Sequence, residues 1–461
     1  MPLPVRGLFH EAKSAEIAGA FAGELHEWIS DGFSLVTRPQ SYVVSSATAG
    51  FQRLPFEFAA FDQELTISPT QITDGTLSRS GTFADFVSSA SISSQEIIVG
   101  GSELLTYNGS AFTVAGFTTT TGVNPNTFDG VTAHNDRPYF WRRGGALEFY
   151  YGGVGAVTGA LTRFPLDRLG NITGQISDMR SLTVNAGHGM NDIQAIVTTT
   201  GQIALYEGLD PGDPNDWRLL TRVQTGVPLG QRAYTKVASD VWMLTRKGLV
   251  SLTETIRMGR LAMVSQVTRP IEEAIRKRVL LGGVWQLHTA ADGSMVIINQ
   301  VVSNTAYQFI YRTESRAWST ASFPAQHWHN RGGEVYFTDL AGAVRRLDED
   351  GGQAEVITAV WHSSWFRLPR AAGIARLTPT ILAQGALTFR VAVLTDHDET
   401  AADLAEAWQT VTIQPDNPAD VGGTVALNET LGCTAIGNVF QIRMEVTATR
   451  AQLVSMTFAL H

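Results

Sequence analysis

Short apolar segments alternate with glycine-centred turns along most of this chain of 461 residues. Several strands, such as Val241–Leu244, are apolar on both faces, which is typical of sheets covered on both sides. A strand–turn–strand unit recurs at spacings of roughly 40–55 residues, near the period of propeller blades. Its five clear copies contain Gly100-Gly101, Gly144-Gly145, Gly201, Gly248 and, at the sixth position of the repeat after a less clear fifth, Gly342. The repeat predicts an all-β fold with a β-propeller of roughly six to eight irregular blades over residues 51–372.

The last part of the chain follows a different pattern. Phe440, Ile442, Met444 and Val446 alternate with polar residues, and the stretches 387–393 and 454–460 do the same. Strict alternation is typical of an antiparallel sheet with one buried face. It predicts a separate antiparallel β-sandwich or platform domain over residues 373–461.

Residues 1–50 do not fit the repeat and are predicted to form an N-terminal arm or helix that could contribute to the platform. Ile17, Phe21, Leu25 and Trp28 fall at helical spacing, which predicts an amphipathic helix over residues 14–27. The alternative is an extended arm that closes at the Ser30-Asp31-Gly32 turn.

The clearest helical pattern covers residues 268–281. Thr268 is predicted to cap this helix, and Gly282-Gly283 to end it. Glu272 and Arg276 form a predicted i,i+4 pair, with Ile271, Ile275 and Val279 along one face. Such a helix inside a β array is expected to fill a gap between blades or to contact a neighbouring subunit.

Composition limits the classes of function. Only 17% of residues are charged, which fits either a hydroxyl-rich surface or faces buried against other copies of the chain. The net charge of −9 argues against a broad basic face that grips nucleic acid. It leaves open a channel wall to which a polyanion does not adhere.

The single cysteine, Cys433, excludes an intramolecular disulfide and predicts folding in a reducing cytoplasm. The first residues lack the apolar core of a signal peptide, and no stretch approaches the ~20 apolar residues of a membrane span.

Three groups of side chains are candidates for sites of chemistry. His188, in the glycine-rich stretch Gly187–Asp192, could act as a base, and Asp210, Asp213 and Asp216 could hold Ca²⁺. His327 and His329 would share one face of a strand, with His362 as a third metal ligand. Turns or structural histidines explain each pattern more simply, because no nucleophile motif or matching ligand spacing accompanies them.

The basic positions Arg142-Arg143, Arg345-Arg346 and Arg276–Arg278 are short and scattered, so solvated turns are the simplest interpretation. No phosphate-binding loop, dinucleotide fingerprint or zincin helix is found in the sequence. We therefore predict no catalytic, cofactor-binding or metal-binding residues, and no enzymatic activity.

A series of motifs over about 100 residues resembles a known family. They are VGAVTG (154–159), GHGMND (187–192), TTGQIALYEGLDP (199–211), WRL (217–219), GVPLGQR (226–232) and DVWMLTRKGLV (240–250). Their order is similar to the propeller-bearing tail nozzle, or tail hub, proteins of short-tailed bacteriophages. The family often has a Gly-Arg-Arg-Pro-Gly-like turn near the N-terminus, whereas this chain has only Thr37-Arg38-Pro39.

The resemblance implies a hexameric ring in the virion tail, assembled in the host cytoplasm beneath the portal and adaptor proteins. Fibre or needle proteins would lie beside or below it, and double-stranded DNA would be retained and then conducted, with transient non-specific contact. An alternative is a propeller that binds or cleaves bacterial surface glycans, with paired carboxylates and aromatics at its axis. A eukaryotic-style interaction propeller would repeat Gly-His and Trp-Asp signatures from blade to blade, and these repeat signatures are missing.

Overall fold

The structure is a computed structural model. It describes residues 22–31, 33–45, 52–55, 64–166, 172–185, 190–238, 240–258, 265–348, 355–367, 372–396, 408–415, 424–428 and 430–460. Across these ranges the chain forms 39 β-strands and three short α-helices, so the predicted all-β class is confirmed. The fold is a β-propeller joined to an antiparallel β-sandwich.

Six blades of the propeller are each built on a sheet of four antiparallel strands. Blade 1 consists of β5 (Gln52–Pro55), β6 (Glu64–Ser68), β7 (Gln71–Thr73) and β8 (Ser78–Ser80). Blade 2 consists of β9 (Phe83–Ile92), β10 (Gln95–Gly101), β11 (Leu105–Tyr107) and β12 (Phe112–Val114). Blade 3 is β14 (Gly130–His134), β15 (Arg137–Trp141), β16 (Glu148–Tyr151) and β17 (Gly159–Pro165), with β13 (Phe117–Thr119) added parallel to β17. Blade 4 is β18 (Ile176–Asn185), β19 (Met190–Thr198), β20 (Gln202–Glu207) and β21 (Arg218–Gln224).

A three-stranded sheet follows blade 4 and consists of β22 (Tyr234–Val237), β23 (Asp240–Thr245) and β24 (Gly248–Ser251). Blade 5 is β25 (Val284–Thr289), β26 (Met295–Val302), β27 (Thr305–Arg312) and β28 (Ala317–Ala321). Blade 6 combines β29 (Ala325–Arg331), β30 (Glu334–Asp339) and β31 (Val344–Asp348) with β4 (Gln40–Ser45) from the N-terminal part of the chain. One blade is thus completed by a strand nearly 300 residues away, which ties the two ends of the propeller together.

The first strand of each sheet lies nearest the axis, and these inner strands follow one another around a ring. Contacts join β5 to β9, β9 to β14 and β14 to β18, and others join β22 to β25, β25 to β29 and β29 to β5. Arg180 of β18 lies over the ring of Tyr234 of β22, which completes the circuit.

Two sheets form the sandwich. One contains β1 (Ala22–His26), β32 (Ile357–Ser363), β38 (Phe440–Ala448), β34 (Leu387–Thr395) and β35 (Gln409–Ile413). The other contains β2 (Trp28–Ser30), β3 (Leu35–Thr37), β39 (Arg450–Leu460), β33 (Ala372–Gln384), β36 (Thr424–Leu427) and β37 (Leu431–Gly437). The alternating residues Phe440, Ile442, Met444 and Val446 are fully buried, as a half-buried strand requires.

The pairing of strands differs at two places from the predicted boundaries at residues 50 and 373. β32 lies before residue 373, yet it pairs with β38 of the sandwich. β1, β2 and β3 belong to the sandwich sheets, whereas β4 belongs to blade 6. The N-terminal segment therefore contributes to both units.

All five predicted strand–turn–strand copies form antiparallel hairpins, namely β10–β11, β15–β16, β19–β20, β23–β24 and β30–β31. Packing explains why their strands are apolar on both faces. In β10, Ile97 and Val99 pack against blade 3, while Ile98 packs against blade 1. In β15, Phe140 faces blade 2 and Tyr139 faces blade 4. Each face thus meets a different blade.

The predicted helix over residues 14–27 is wrong where the structure describes it, because residues 22–26 form β1 and residues 28–30 form β2. Residues 14–21 lie outside the described part. The extended alternative is confirmed: β2 and β3 form a hairpin whose turn is held by Asp31, which accepts from the backbone N–H groups of Phe33 and Ser34. Leu25 and Trp28 are buried as strand residues.

The helix predicted at 268–281 exists with different details. It comprises α2 (Ser265–Thr268), a 3₁₀ turn (Arg269–Ile271) and α3 (Glu272–Val279), and α1 (Leu252–Met258) precedes them. Thr268 does not cap, because its backbone is already helical and its side chain makes no capping bond. The helical segment therefore begins at Ser265, before the predicted cap.

Glu273, rather than Glu272, forms the ion pairs of this helix, with Arg276 and Lys277. Ile271 and Ile275 are buried against the core, as predicted. The chain turns at Gly282 and Gly283, both of which have positive φ.

Candidate functional sites: an ionic junction and the propeller axis

The sandwich and the propeller share a continuous sheet. β1 pairs antiparallel with β32 and lies parallel to β28 of blade 5, with His26 opposite Thr320. The backbone N–H of Glu27 donates to the carbonyl of Thr320 at 2.7 Å. Blade 5 therefore continues directly into the sandwich, and β1 is the connecting strand.

A buried ionic group lies beside this connection. Glu27 is 4% exposed and has a φ of 60°, a conformation that few residues other than glycine adopt. One oxygen of its carboxylate accepts from the backbone N–H and the hydroxyl of Ser322, at 2.9 and 2.5 Å. The other oxygen accepts from Nε of Arg38.

Arg38 joins four partners. Its Nη2 donates to Oε1 of Glu355 at 2.9 Å, and its Nη1 donates to the carbonyl of Pro39 at 2.9 Å. Its Cζ lies 4.1 Å from the centre of the Phe323 ring. Since Arg38 is only 8% exposed, it balances Glu27 and Glu355 in a largely water-free setting. We call Glu27, Arg38 and Glu355 the ionic junction.

Neighbouring residues extend the ionic junction to blade 6 and to β39. Oε2 of Glu355 accepts from the backbone N–H of Ser41 on β4 at 2.7 Å. Nε2 of Gln40 donates to the carbonyl of Thr449, next to β39, at 2.6 Å. The junction thus fixes the N-terminal segment, the last blade and the sandwich relative to one another.

A cleft of about 170 Å³ opens beside the junction. Its walls carry charges of both signs, from Asp31, Asp348, Arg312 and Arg450, together with apolar Ile29 and Val36. Pockets for small-molecule ligands are generally about 300–1,000 Å³. This cleft is therefore small for a sugar ring, and it lies at the junction rather than at the propeller axis.

Polar side chains link neighbouring blades along the inner strands. Ser88 donates to the carbonyl of Val131 at 3.1 Å, joining blades 2 and 3. His134 Nδ1 lies 2.7 Å from the hydroxyl of Ser181, and His288 Nε2 lies 3.0 Å from Oδ1 of Asn330. Burial lowers the pKa of His288 to about 4, so at neutral pH this link is made by an uncharged imidazole.

Charged and aromatic side chains from four sheets meet at one mouth of the axis, where β18 and β22 begin. Phe86 of β9 has two guanidinium groups near its ring: the Cζ of Arg143 is 5.3 Å from the ring centre, and that of Arg232 is 5.9 Å. Arg143 comes from blade 3. Arg232 immediately precedes β22, and blades 3 and 4 separate that strand from blade 2 around the ring. The contact between Phe86 and Arg232 therefore crosses the axis.

Asp178 and Tyr234 complete this group. Asp178 is 4% exposed, accepts from Nε of Arg180 at 2.7 Å and from the backbone N–H of Met179 at 2.9 Å. Burial raises the pKa of its carboxyl, against the lowering effect of Arg180. Burial likewise raises the pKa of Tyr234. We call Phe86, Arg143, Asp178, Arg180, Arg232 and Tyr234 the axial cluster.

His188 itself falls outside the described residues, whereas Met190–Asp192 of the same stretch belong to β19. Asp192 interacts electrostatically with His134 of blade 3 and opposes the lowering of the His134 pKa by burial. The turn interpreted for this segment lies outside the described residues, and the strand that follows, β19, begins at Met190.

The three aspartates of the 210–216 loop shape the loop itself. Asp216 accepts from the backbone N–H groups of Leu209 and Asp210 at 2.6 and 2.8 Å. Asp213 accepts from the N–H of Asn215 at 2.8 Å, and Asp210 pairs with Arg137 at 3.2 Å. The interpretation as a turn thus accounts for all three carboxylates.

The histidine pair is only partly as predicted. His327 and His329 do share a face of β29, with ring centres 6.1 Å apart. His329 Nε2 lies 2.9 Å from a carboxylate oxygen of Glu64 in blade 1. His362 is not a third ligand, because it lies in the sandwich and pairs with Glu24 at 2.7 Å. Within the described ranges, no group of three or more His, Cys, Asp or Glu is placed to hold a metal.

Most of the predicted basic positions form local ion pairs. Arg142 pairs with Glu148 at 3.2 Å, Arg345 with Asp339 at 2.9 Å and Arg346 with Glu334 at 2.9 Å. Arg278 instead lies 3.3 Å from the centre of the Tyr307 ring. Arg143 differs from all of these, and it belongs to the axial cluster.

Sequence reasoning missed Glu27, Glu355 and the axial cluster as a group. For Arg38, the only signal in the sequence is that Thr37-Arg38-Pro39 differs from the turn of the family it resembles. The partners of these residues lie up to 317 positions away in the chain, and no local motif marks them.

The helices are few and short. None in the part of the chain that the structure describes is long and apolar enough to span a membrane.

Comparison with known proteins yields structural neighbours alone. No protein-family model matches the chain, and no curated protein matches it. The β-propeller domain of Cps50 (Swd1) from Myceliophteria thermophila has 8% identity and a TM-score of 0.43, over 67% of this chain and 99% of that one. Raptor from Chaetomium thermophilum has 9% identity and a TM-score of 0.41, over 68% and 29% of the two chains. The extracellular domain of BT4673 from B. thetaiotaomicron has 9% identity and a TM-score of 0.41, over 92% and 59%.

These likenesses are too distant to transfer any activity, and none of the neighbours described is a phage protein. The class of the protein is therefore defined by its own sheets: a β-propeller fused to an antiparallel sandwich.

Proposed function

We propose that this chain is a structural, non-enzymatic component of the tail of a short-tailed bacteriophage. In this role it forms a nozzle or hub ring, most simply of six copies, in the virion. The ring retains the viral DNA before infection and conducts it during infection. Portal and adaptor proteins lie above the ring, and fibre or needle proteins lie beside or below it.

The observation that carries the proposal is the resemblance over residues 154–250, which include part of blade 3, the whole of blade 4 and nearly all of the three-stranded sheet. Its motifs contain residues that define turns and hairpins here, including Gly201 and Gly248. Blade architecture therefore explains the place of these two glycines, at the turns of the hairpins β19–β20 and β23–β24.

The connection between propeller and sandwich also supports a mechanical role. A conduit must keep its shape against internal pressure, so relative motion of its two units would be harmful. Here a shared sheet and the ionic junction cross the boundary, rather than a flexible linker alone. Such an arrangement suits a ring subunit.

Mass measurement of the purified protein tests this proposal. We expect particles of six times the 49.9 kDa chain mass, seen as rings by electron microscopy, either alone or with portal and adaptor proteins. A ring subunit must bury well over the ~1,600 Å² of a standard interface. A strictly monomeric protein, even with those partners present, would contradict the proposal.

A screen against host polysaccharides separates the proposal from the glycan alternative. We expect neither binding nor cleavage. Cleavage that is abolished by substitution of a single Asp or Glu would show that the protein is an enzyme and would overturn the structural role.

A further inference from the structure

One aromatic side chain protrudes from the turn of the β2–β3 hairpin. Phe33 is 90% exposed, and within the described ranges it is the only Phe, Tyr or Trp whose side chain is exposed rather than buried or half-buried. An aromatic ring buries a large apolar area when a partner covers it, and such rings commonly anchor protein interfaces. Phe33 is therefore a candidate anchor for a partner.

The turn holds this ring in a fixed position. Oδ1 of Asp31 accepts from the backbone N–H groups of Phe33 and Ser34 at 2.8 and 2.5 Å. Oδ2 of Asp31 accepts from the hydroxyl of Ser34 at 2.6 Å. Side-chain bonds of this kind are typical of ordered turns. An anchor on an ordered turn loses little conformational freedom on binding, which favours association.

The cleft beside the ionic junction has the size of one phenyl ring. Its volume is about 170 Å³, and a cavity of about 150 Å³ is enough to hold benzene. Ile29 and Val36 give the cleft apolar surface, and Arg312 and Arg450 are also part of its lining. Guanidinium groups stack on the faces of aromatic rings, so this lining suits an aromatic side chain. Phe33 is not among the residues that line the cleft of its own chain.

The cleft is also held in shape before a partner arrives. Arg38, which lines it, is fixed by its ion pairs with Glu27 and Glu355. Gln40, which also lines it, donates to the carbonyl of Thr449 at 2.6 Å. Both the anchor and the cleft are thus ordered in the single chain.

We propose that Phe33 of one copy inserts into the cleft of a second copy of this chain. The occupant is a second copy because the chain itself carries both halves of the contact, an exposed ring and a cleft of matching volume and chemistry. A projection that fits a pocket elsewhere on the same molecule joins copies head to tail. The low share of charged residues, 17%, agrees with burial of surface between copies.

This contact deepens the proposed ring role, and only the number of copies rests on that role. In a closed ring, each copy would offer Phe33 to one neighbour and its cleft to the other. The contact itself needs no more than two copies, so it can be tested without portal or adaptor proteins.

Sedimentation velocity over a range of protein concentrations measures the contribution of Phe33. We expect the unaltered protein to self-associate, and Phe33→Ala to weaken this association about tenfold or more, as truncation of an aromatic anchor does. Leu280→Ala is the matched control, since Leu280 is 85% exposed at the end of α3 and does not line the cleft. That variant should associate as the unaltered protein does. Both substitutions lie at exposed positions, so neither should disturb the fold.

Photochemical cross-linking locates the ring in the assembly. Phe33 is replaced by p-benzoylphenylalanine, and ¹⁵N-labelled and unlabelled copies are mixed before irradiation. We expect mixed-label cross-links from position 33 to the residues that line the cleft, namely 29–31, 36–40, Arg312, Asp348 and Arg450. Val36→Phe, which fills the cleft, should abolish these cross-links and weaken association as Phe33→Ala does.

Three results would overturn the inference: an unaltered protein that stays monomeric at every concentration, equal association of Phe33→Ala and Leu280→Ala, or cross-links confined to one chain. The test also separates this contact from the ring. A pair of copies held by Phe33 would confirm the inference and contradict six-fold rings. Six-fold rings that form equally well in Phe33→Ala would support the ring and overturn the inference.

Discussion

Removal of the Arg38 side chain should destabilise the protein far more than removal of an exposed arginine. Glu27 is 4% exposed in the unaltered protein, and in the Arg38→Ala variant it loses its only guanidinium partner in the described structure. Leaving one charge of a buried pair uncompensated generally costs about 3–5 kcal/mol. Glu355 is less affected, because its side chain is 30% exposed and water can replace Arg38 there. We therefore expect a loss of about 3–5 kcal/mol, most of it from Glu27.

Urea unfolding followed by tryptophan fluorescence measures this loss. Trp318 on β28 and Trp361 on β32 are fully buried on the two strands that flank β1, so they report on the junction. Arg276→Ala is the matched control, since Arg276 is 70% exposed and pairs with Glu273 on α3. A solvent-exposed pair of this kind contributes little to stability.

A double variant separates the two carboxylates. Glu27→Gln combined with Arg38→Ala should recover part of the loss, because the uncompensated charge is then removed. The reasoning would be refuted if Arg38→Ala cost no more than Arg276→Ala, or if Glu27→Gln gave no recovery.

Three further predictions concern the propeller. Phe140 is fully buried between blades 2 and 3, so Phe140→Ala should lower the free energy of unfolding in urea by about 3–5 kcal/mol. Val114 on β12 is 47% exposed, so Val114→Ala should change it by no more than about 0.5 kcal/mol. Equal effects of the two substitutions would contradict the packing between blades. Gly208→Ala should lower the midpoint of thermal unfolding more than Gly144→Ala does. The backbone φ is positive at both sites, but a Cβ at position 208 would lie 2.3 Å from the carbonyl oxygen of Asp216, whereas nothing lies within 4 Å of a Cβ at position 144. The reverse order of the two midpoints would contradict this geometry of the loop. Burial lowers the pKa of His288 from 6.5 to about 4 in the native state, so its contribution to stability is fully present above pH 6.5 and is lost as the pH falls towards 4. His288→Gln should therefore remove up to about 3 kcal/mol of the pH dependence of the unfolding free energy between pH 4 and 6.5. An unchanged pH profile would contradict a buried neutral imidazole.

Local patterns were sufficient to predict the blades but not their closure. Apolar segments on either side of a glycine turn predict the hairpins β10–β11 and β19–β20, and both hairpins are present. The residues of β10 are apolar on both faces of the strand, and both faces are buried. By contrast, β4 pairs with β31 of blade 6, about 300 residues away in the chain. No pattern in the residues of β4 predicts this pairing. Long-range pairing of this kind is decided by packing of the whole domain rather than by local preference.

The N-terminal segment shows how a helical pattern can mislead. Leu25 and Trp28 are spaced as on one face of a helix, yet both are buried in strands, because the positive φ of Glu27 interrupts the regular alternation between β1 and β2. Tertiary pairing with β28 and β32 overrides the local signal. The same irregularity brings the carboxylate of Glu27 to Arg38.

The candidate sites were the least predictable part. The aspartates of the 210–216 loop were interpreted as a turn from local chemistry, and their hydrogen bonds agree. The axial cluster could not be found in this way, because Phe86 and Arg232 meet only after the sheets have closed into a ring.

The most direct test of the proposed ring is the mass and shape of the purified protein, measured by mass photometry and electron microscopy with and without portal and adaptor proteins. The proposal predicts six-fold rings of six times 49.9 kDa. A population that remains at the mass of one chain under every one of these conditions would contradict it.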